Sequence, residues 1–221
     1  MLVVVASSRD RIAAQAVAYW GPDRARLLTC GDLSRGGWRY RPGAAGRSVA
    51  VIGGERVRAA EIEGVLVRLP EVGADELPHI VAGDRSYVAQ EMTAFLTAWL
   101  AELPCLVVNR PSADCLGGPG WGMEQWLHVA AGLGMPVRPR RTVKPRRSDV
   151  LVTVVGPHTF GTPVVGAADQ ARQLADAAGT ELLDVYFESS PVGLRVVAAN
   201  PWPDVSRPEV ADALLARWRE S

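Results

Sequence analysis

The sequence predicts an α/β fold built around a parallel sheet covered on both faces, and three observations predict it. Short β-branched runs alternate with helix-like stretches from Leu2–Ala6 and Ile12–Trp20 onward, the pattern of a parallel sheet covered on both faces. The strand candidates read as continuous apolar runs, such as GVLVR at 64–68 and CLVVN at 105–109, as strands buried on both faces do. Finally, 221 residues with 48% hydrophobic and 22% charged side chains suffice for one large or two small packed domains and exclude wholesale disorder.

The elements follow in order. After the strand at 2–6, the apolar-periodic Ile12–Trp20 reads as a helix ended by Gly21-Pro22, and Ala25–Thr29 as a second strand. Asp32–Arg47, rich in Gly, Arg and Pro, is expected to be a surface loop, followed by a hairpin begun by Ser48–Ile52 and its GGE turn. Gly64–Arg68 is a core strand, 70–84 a connection, Ser86–Leu100 the longest helix and Cys105–Asn109 the next buried strand. A glycine-rich turn at 117–122 opens a helix over Met123–Leu133, stopped by Gly134 and Pro136. The segment RPRRTVKPRR at 138–147 is too proline-rich for a helix. Beyond it come a strand at 149–155, a helix at 167–178, successive strands at 182–188 and 194–199, and a last helix at 208–219.

Charge excludes some partners. With 24 basic and 24 acidic side chains there is no global drive toward nucleic acid or an anionic membrane, and neither is expected as a partner. The charge is blocked: residues 61–102 hold eight acids and two arginines, whereas 138–147 hold six bases and no acid. Such blocks are expected to meet one another or a partner subunit, which leaves room for a homo-oligomer. The longest apolar stretch, Met92–Val108, is broken by Glu102 and Pro104, so no membrane span is expected. No basic leader precedes the first apolar run, and Cys30, Cys105 and Cys115 form no C-x-x-C pair. A reduced, cytoplasmic setting is therefore expected.

Local enzyme signatures are missing: no G-x-S-x-G, no G-x-x-x-x-G-K-[ST], no H-E-x-x-H and no G-x-G-x-x-G. His79, His128 and His158 lie in three segments without metal spacing. The loop at 117–122 opens a helix where amides can hold an anion, but Pro119 lacks an N–H and no lysine or serine follows; its plainer role is a tight turn burying Trp121.

Taken in order, GVLVRLP at 64–70, Tyr87 with Glu91 on the next helix, LVVNRP at 106–111, Gln125 and LGMPV at 133–137 resemble the N-terminal half of ATP-grasp ligases. The nearest subgroup is the ribosomal-peptide maturases, related to ribosomal-protein glutamate ligases. DVLVTVVG at 149–156, Asp184, the strand pair and Asn200-Pro201 resemble the family's sheet and metal-binding tail. The resemblance implies a Rossmann-like pre-ATP-grasp domain over 1–103 and a reduced ATP-grasp-type α+β domain over 104–221.

The departures bear on activity. The family holds ATP phosphates with two lysines, one on a lid subdomain, whereas GWGMEQW at 120–126 supplies none and the dozen residues between Pro136 and Asp149 have no room for a lid. The only lysine of the chain is Lys144, and the Glu-x-Asn of the metal site reads Ala198-Ala199-Asn200, leaving Asp184 and Asn200 as a vestigial pair. Losing one group that neutralises phosphate charge commonly costs a factor of roughly 10² to 10³. The expectation is a lid-less, degenerate protein that binds a peptide, an amino acid or another small-molecule ligand, or a partner biosynthetic enzyme, with no catalytic residue and no cofactor. Two alternatives are an ATP-dependent carboxylate-amine ligase using Mg-ATP with arginines as phosphate ligands or a partner's lid, and a scaffolding subunit. Arg68, Tyr87, Glu91, Asn109 and Arg110 are expected to line an inter-domain cleft at strand ends, with Trp121 facing a pocket. The same residues also fit plainer roles: an Arg68–Glu91 salt bridge, Tyr87 as a core ring, Asn109 capping a turn, and core packing of Trp121.

Overall fold

The computed structural model describes residues 1–138, 149–191 and 193–220. The first half contains β1 (Leu2–Val5), α1 (Arg11–Trp20), β2 (Ala25–Leu28), α2 (Cys30–Leu33), β3 (Val49–Ile52), β4 (Glu55–Arg58), β5 (Gly64–Val67) and α3 (Arg85–Glu102). The second half contains β6 (Leu106–Val108), α4 (Met123–Gly132), β7 (Val150–Val155), β8 (His158–Gly161), α5 (Ala167–Ala178), β9 (Leu182–Ser190), β10 (Gly193–Asn200) and α6 (Pro208–Arg219). The sheets are mixed in kind: β2-β1-β5-β6 is parallel, β10-β9-β7-β8 is antiparallel, and β3-β4 is a separate hairpin.

Alternating side chains give the parallel sheet two apolar faces. Val3, Val5, Val65, Val67 and Val107 pack toward Leu96, Trp99 and Leu100 of α3, while Leu2, Val4, Leu66 and Val108 pack toward α1 and α6. The expected covering of both faces is thus present in this sheet. The antiparallel sheet instead buries Val152, Val154, Leu183, Val185 and Phe187 under α4 and α5. Helix α1 starts where the Asp10 carboxylate accepts the Ala13 N–H at 3.0 Å, the side-chain capping that aspartate favours.

Three features differ from expectation. The surface loop expected over 32–47 begins inside the one-turn helix α2, whose Thr29 and Asp32 cap one another, and a single bridge pairs Arg39 with Val49. Strand β8 was hidden because HTFG at 158–161 has no apolar alternation; a two-residue turn at Gly156-Pro157, with Gly156 at φ 52°, folds it back on β7. The sheet of the first half also runs past residue 103, the boundary read from sequence. Strand β6 pairs with β5, and α6 returns from the chain's end to cover the same sheet. No helix among the described residues is long and apolar enough to cross a membrane.

Of the basic segment at 138–147, only Arg138 lies within the described residues. It is buried: its Nε donates to Glu188 at 2.7 Å and its Nη2 to Asp149 at 2.9 Å.

Candidate functional site

Open parallel sheets place ligands where the strand order reverses, at the carboxyl ends of the strands. In the order β2-β1-β5-β6 that place is between β1 and β5, where Val5 pairs with Val67 and the chain continues into Ser7 and Arg68. The crevice is filled by the chain's own polar groups. Arg68, with 6% of its side chain exposed, donates through Nε to Asp10 at 2.8 Å and through Nη1 to the Pro203 carbonyl at 2.7 Å. Beside it Ser7 Oγ donates to Glu76 at 2.6 Å, and Arg9 pairs with Asp75 and Glu76.

The neighbouring residues are engaged in the same way. Asn109 is the only described non-glycine residue with positive φ, 53°, and its amide clasps the two halves. Its Nδ2 donates to the Leu182 and Pro201 carbonyls at 2.8 and 3.2 Å, and its Oδ1 accepts from the N–H groups of Glu181 and Leu182, each at 3.0 Å. Arg110 turns back onto the end of α3, donating to the carbonyls of Ala101 at 3.1 Å and Cys105 at 2.9 Å. Cations are favoured at that helix end.

On the antiparallel sheet, Asp184 faces Asn200 across the β9-β10 pair, and Ala198 faces Tyr186. Asp184 is 4% exposed. Thr153 Oγ1 donates to it at 2.5 Å and accepts from Arg207 Nη1 at 3.2 Å. Burial pushes the Asp184 carboxyl up to about 6, against the pull of the Thr153 hydrogen bond and of Arg207 and Arg68; Asp204 pushes the same way as burial. The Tyr186 hydroxyl is raised as well, by burial and by Asp184. Asn200 folds its amide onto Trp202, accepting from the Trp202 N–H and donating to its carbonyl, both at 3.1 Å.

The residues expected in one inter-domain cleft therefore do not meet there. Arg68 and Asn109 sit at strand ends with their polar groups engaged, Arg110 caps α3, and only Tyr87 and Glu91 share a cavity. That cavity, about 420 Å³, lies between α3 and α2 and is walled by Leu33, Trp38, Val88, Met92 and Phe95. The Arg68–Glu91 ion pair does not form, because β1 pairs directly with β5 and brings Asp10 to Arg68. Tyr87 is no core ring, at 65% exposure. Trp121 lies just before α4 and stacks edge-to-face on the buried Trp126, with ring centroids 4.8 Å apart, so the pair does pack together. The glycine-rich loop is used for close approach: a β-carbon on Gly117 would come within 2.9 Å of Trp202 Nε1.

Sequence reasoning missed Thr153 and Arg207 around Asp184, and Trp38 opposite Tyr87. Phe95 carried a signal, lying four positions from Glu91 on one helix. Trp38 carried none, because only the docking of the 34–48 segment brings it to α3. Among the described residues no group of three His, Cys, Asp or Glu side chains is placed to hold a metal ion.

The protein has the fold of the ATP-grasp ligases. It is similar to the macrocyclase MdnC bound with precursor peptide MdnA from Microcystis aeruginosa, with a TM-score of 0.73, 13% identity, and 100% of this chain and 99% of that chain covered. It is also similar to the ATP-grasp ligase PsnB complexed with a phosphomimetic variant of minimal precursor, Mg and ADP, with a TM-score of 0.70, 16% identity and 98% of each chain covered. A third is a RiPP-associated ATP-grasp ligase of Chryseobacterium gregarium in complex with ADP and a leader and core peptide, at 0.70, 8% identity, and 99% and 96% coverage. No family model and no curated protein matches the sequence.

Proposed function

We propose that this chain is an ATP-grasp-fold protein that binds a peptide in modified-peptide or natural-product biosynthesis and carries out no ATP-dependent ligation of its own. The peptide part of this reading is supported by the solved structures it is similar to, two of which hold precursor, leader or core peptides alongside a nucleotide. The non-catalytic part is carried by one observation: Asp184 is buried beside a threonine and an arginine instead of among further oxygen ligands.

The residues present do not fit Mg-ATP. A hard cation needs several ionised or carbonyl oxygens converging on it. Here the carboxylate position is the methyl group of Ala198, the Asn200 amide is closed onto Trp202, and the Asp184 carboxyl favours its proton up to about pH 6. Arg207 already supplies positive charge next to Asp184, so a divalent ion there would be repelled.

Thermal unfolding of the purified protein with and without millimolar Mg-ATP and Mg-ADP tests this. A ligand bound only by the folded state at 100 times its Kd adds about 2.7 kcal/mol. The expected result is no shift. A rise in Tm that disappears when Mg²⁺ is omitted would overturn the non-catalytic reading in favour of a ligase with arginine phosphate ligands.

A further inference from the structure

Helix α3 buries Ala89, Leu96, Trp99 and Leu100 and leaves the adjoining stripe open. That stripe carries Tyr87, Glu91 and Phe95 along the cavity of about 420 Å³ described above, a size within the range of ligand pockets. Its far wall is preformed. Trp38 is held edge-to-face against Phe95 and Trp99, with centroids 5.2 and 5.4 Å away, and its Nε1 donates to the Asp32 carbonyl at 2.9 Å. Asp32 is in turn fixed by the Thr29 and Gly54 N–H groups. An aromatic wall that is already ordered costs little further entropy on binding.

The rim is acidic and unneutralised. Glu91 lines the cavity, and Asp84 lies two turns before it at the start of α3. Both side chains are exposed, and neither makes an ion pair among the described residues. Two nearby arginines, Arg85 at the start of α3 and Arg35 just after α2, are engaged elsewhere. Arg85 donates to the carbonyls of Ile80 and Pro78 at 2.8 and 2.9 Å, and Arg35 lies 3.9 Å from the Asp32 carboxylate. The groove therefore presents an apolar interior with the free carboxylate of Glu91 at its edge, and that of Asp84 two turns further along the same helix. The chemistry that matches is a large apolar side chain entering between Tyr87 and Trp38, with a cation on each side of it.

We infer that this groove docks a linear peptide segment in which an aromatic or long aliphatic side chain is flanked by lysine or arginine. The inference rests on the peptide-binding reading above and deepens it by naming the segment's chemistry and the surface that receives it.

The test is titration calorimetry of the full chain with three blocked pentapeptides, centred on Lys-Phe-Lys, Lys-Ala-Lys and Glu-Phe-Glu. The Lys-Phe-Lys peptide should bind at least about tenfold more tightly than either of the others, and more weakly at high salt, because exposed charges are screened. Tyr87→Ala should weaken it about tenfold, and Glu91→Lys should reverse the preference between the basic and acidic peptides. Both positions are exposed, so the variants should unfold at the wild-type temperature. Equal binding of the three peptides, or no binding at millimolar concentration, overturns the inference. So does self-association of the protein that Tyr87→Ala abolishes, which would make the groove an interface between copies. Binding that neither substitution affects also overturns it, while leaving peptide binding at another surface intact. Failure of the non-catalytic reading has its own signature, stabilisation by Mg-ATP, which neither substitution should alter.

Discussion

The Trp218 indole lies over Gly64 so closely that a β-carbon on the glycine would come within 2.2 Å of the ring's Cδ1. The contact joins the last helix to a central strand of the first sheet, and Trp20 completes it edge-to-face at 5.4 Å. Gly64 is thus set by close approach, not by a turn.

Gly64→Ala should accordingly destabilise the fold by about 1 to 3 kcal/mol, the usual cost of overpacking, and lower Tm by roughly 2 to 4 °C per kcal/mol. Trp218→Ala alone should cost about 3 to 5 kcal/mol. Made together, the two should cost clearly less than their sum, since the smaller residue at 218 admits the added methyl. Additive losses in denaturant unfolding would show that the two residues do not press on one another.

Asp184 should make stability depend on pH. Its folded carboxyl titrates at about 6 against an ordinary 3.8, so between those values the folded state holds a proton that the unfolded chain has released. Stability contributed at low pH is therefore lost as pH rises from about 4 through 6, at up to about 1.4 kcal/mol per unit and about 3 kcal/mol in total. Asp184→Asn keeps an acceptor for Thr153 and removes the charge. It should stabilise the protein at pH 7.5 and leave it nearly unchanged at pH 4, as read from urea unfolding across that range. A larger gain at pH 4 than at pH 7.5 would reverse the sign and refute the account.

Asn109 should be irreplaceable for two reasons that substitutions can separate. Asn109→Gly keeps the positive φ and loses the four hydrogen bonds, leaving buried backbone groups without partners at a cost of about 2 to 3 kcal/mol. Asn109→Ala loses the same bonds and adds backbone strain, so it should be the less stable of the two by about 1 kcal/mol. Thermal unfolding of both variants decides it; equal Tm values would show that the φ of 53° carries no strain.

Much of the architecture was legible because its signals are local. The apolar runs at 64–68, 105–109 and 149–155 and the helical spacings at 86–100 and 208–219 report which backbone buries which side chains, and each lies within one window of sequence. The order of GVLVRLP, LVVNRP and Asn200-Pro201 also carried the likeness to ATP-grasp ligases, which the fold bears out.

Side-chain partners were not legible, because they are set by contacts between segments far apart in the chain. Arg68 and Glu91 looked paired from sequence, yet strand pairing of β1 with β5 hands Arg68 to Asp10, 58 residues away. Asn109 reads as a turn residue until β9 arrives beside it, 73 positions on. Tyr87 and Glu91 lie on one helix, but only the docking of Trp38 onto α3 makes their stripe a groove. The sequence by itself determined most of the strands and helices, since hydrophobic period is a local property. Tertiary structure decided which polar groups are engaged and which stay open, since burial and hydrogen bonding depend on what the fold brings alongside.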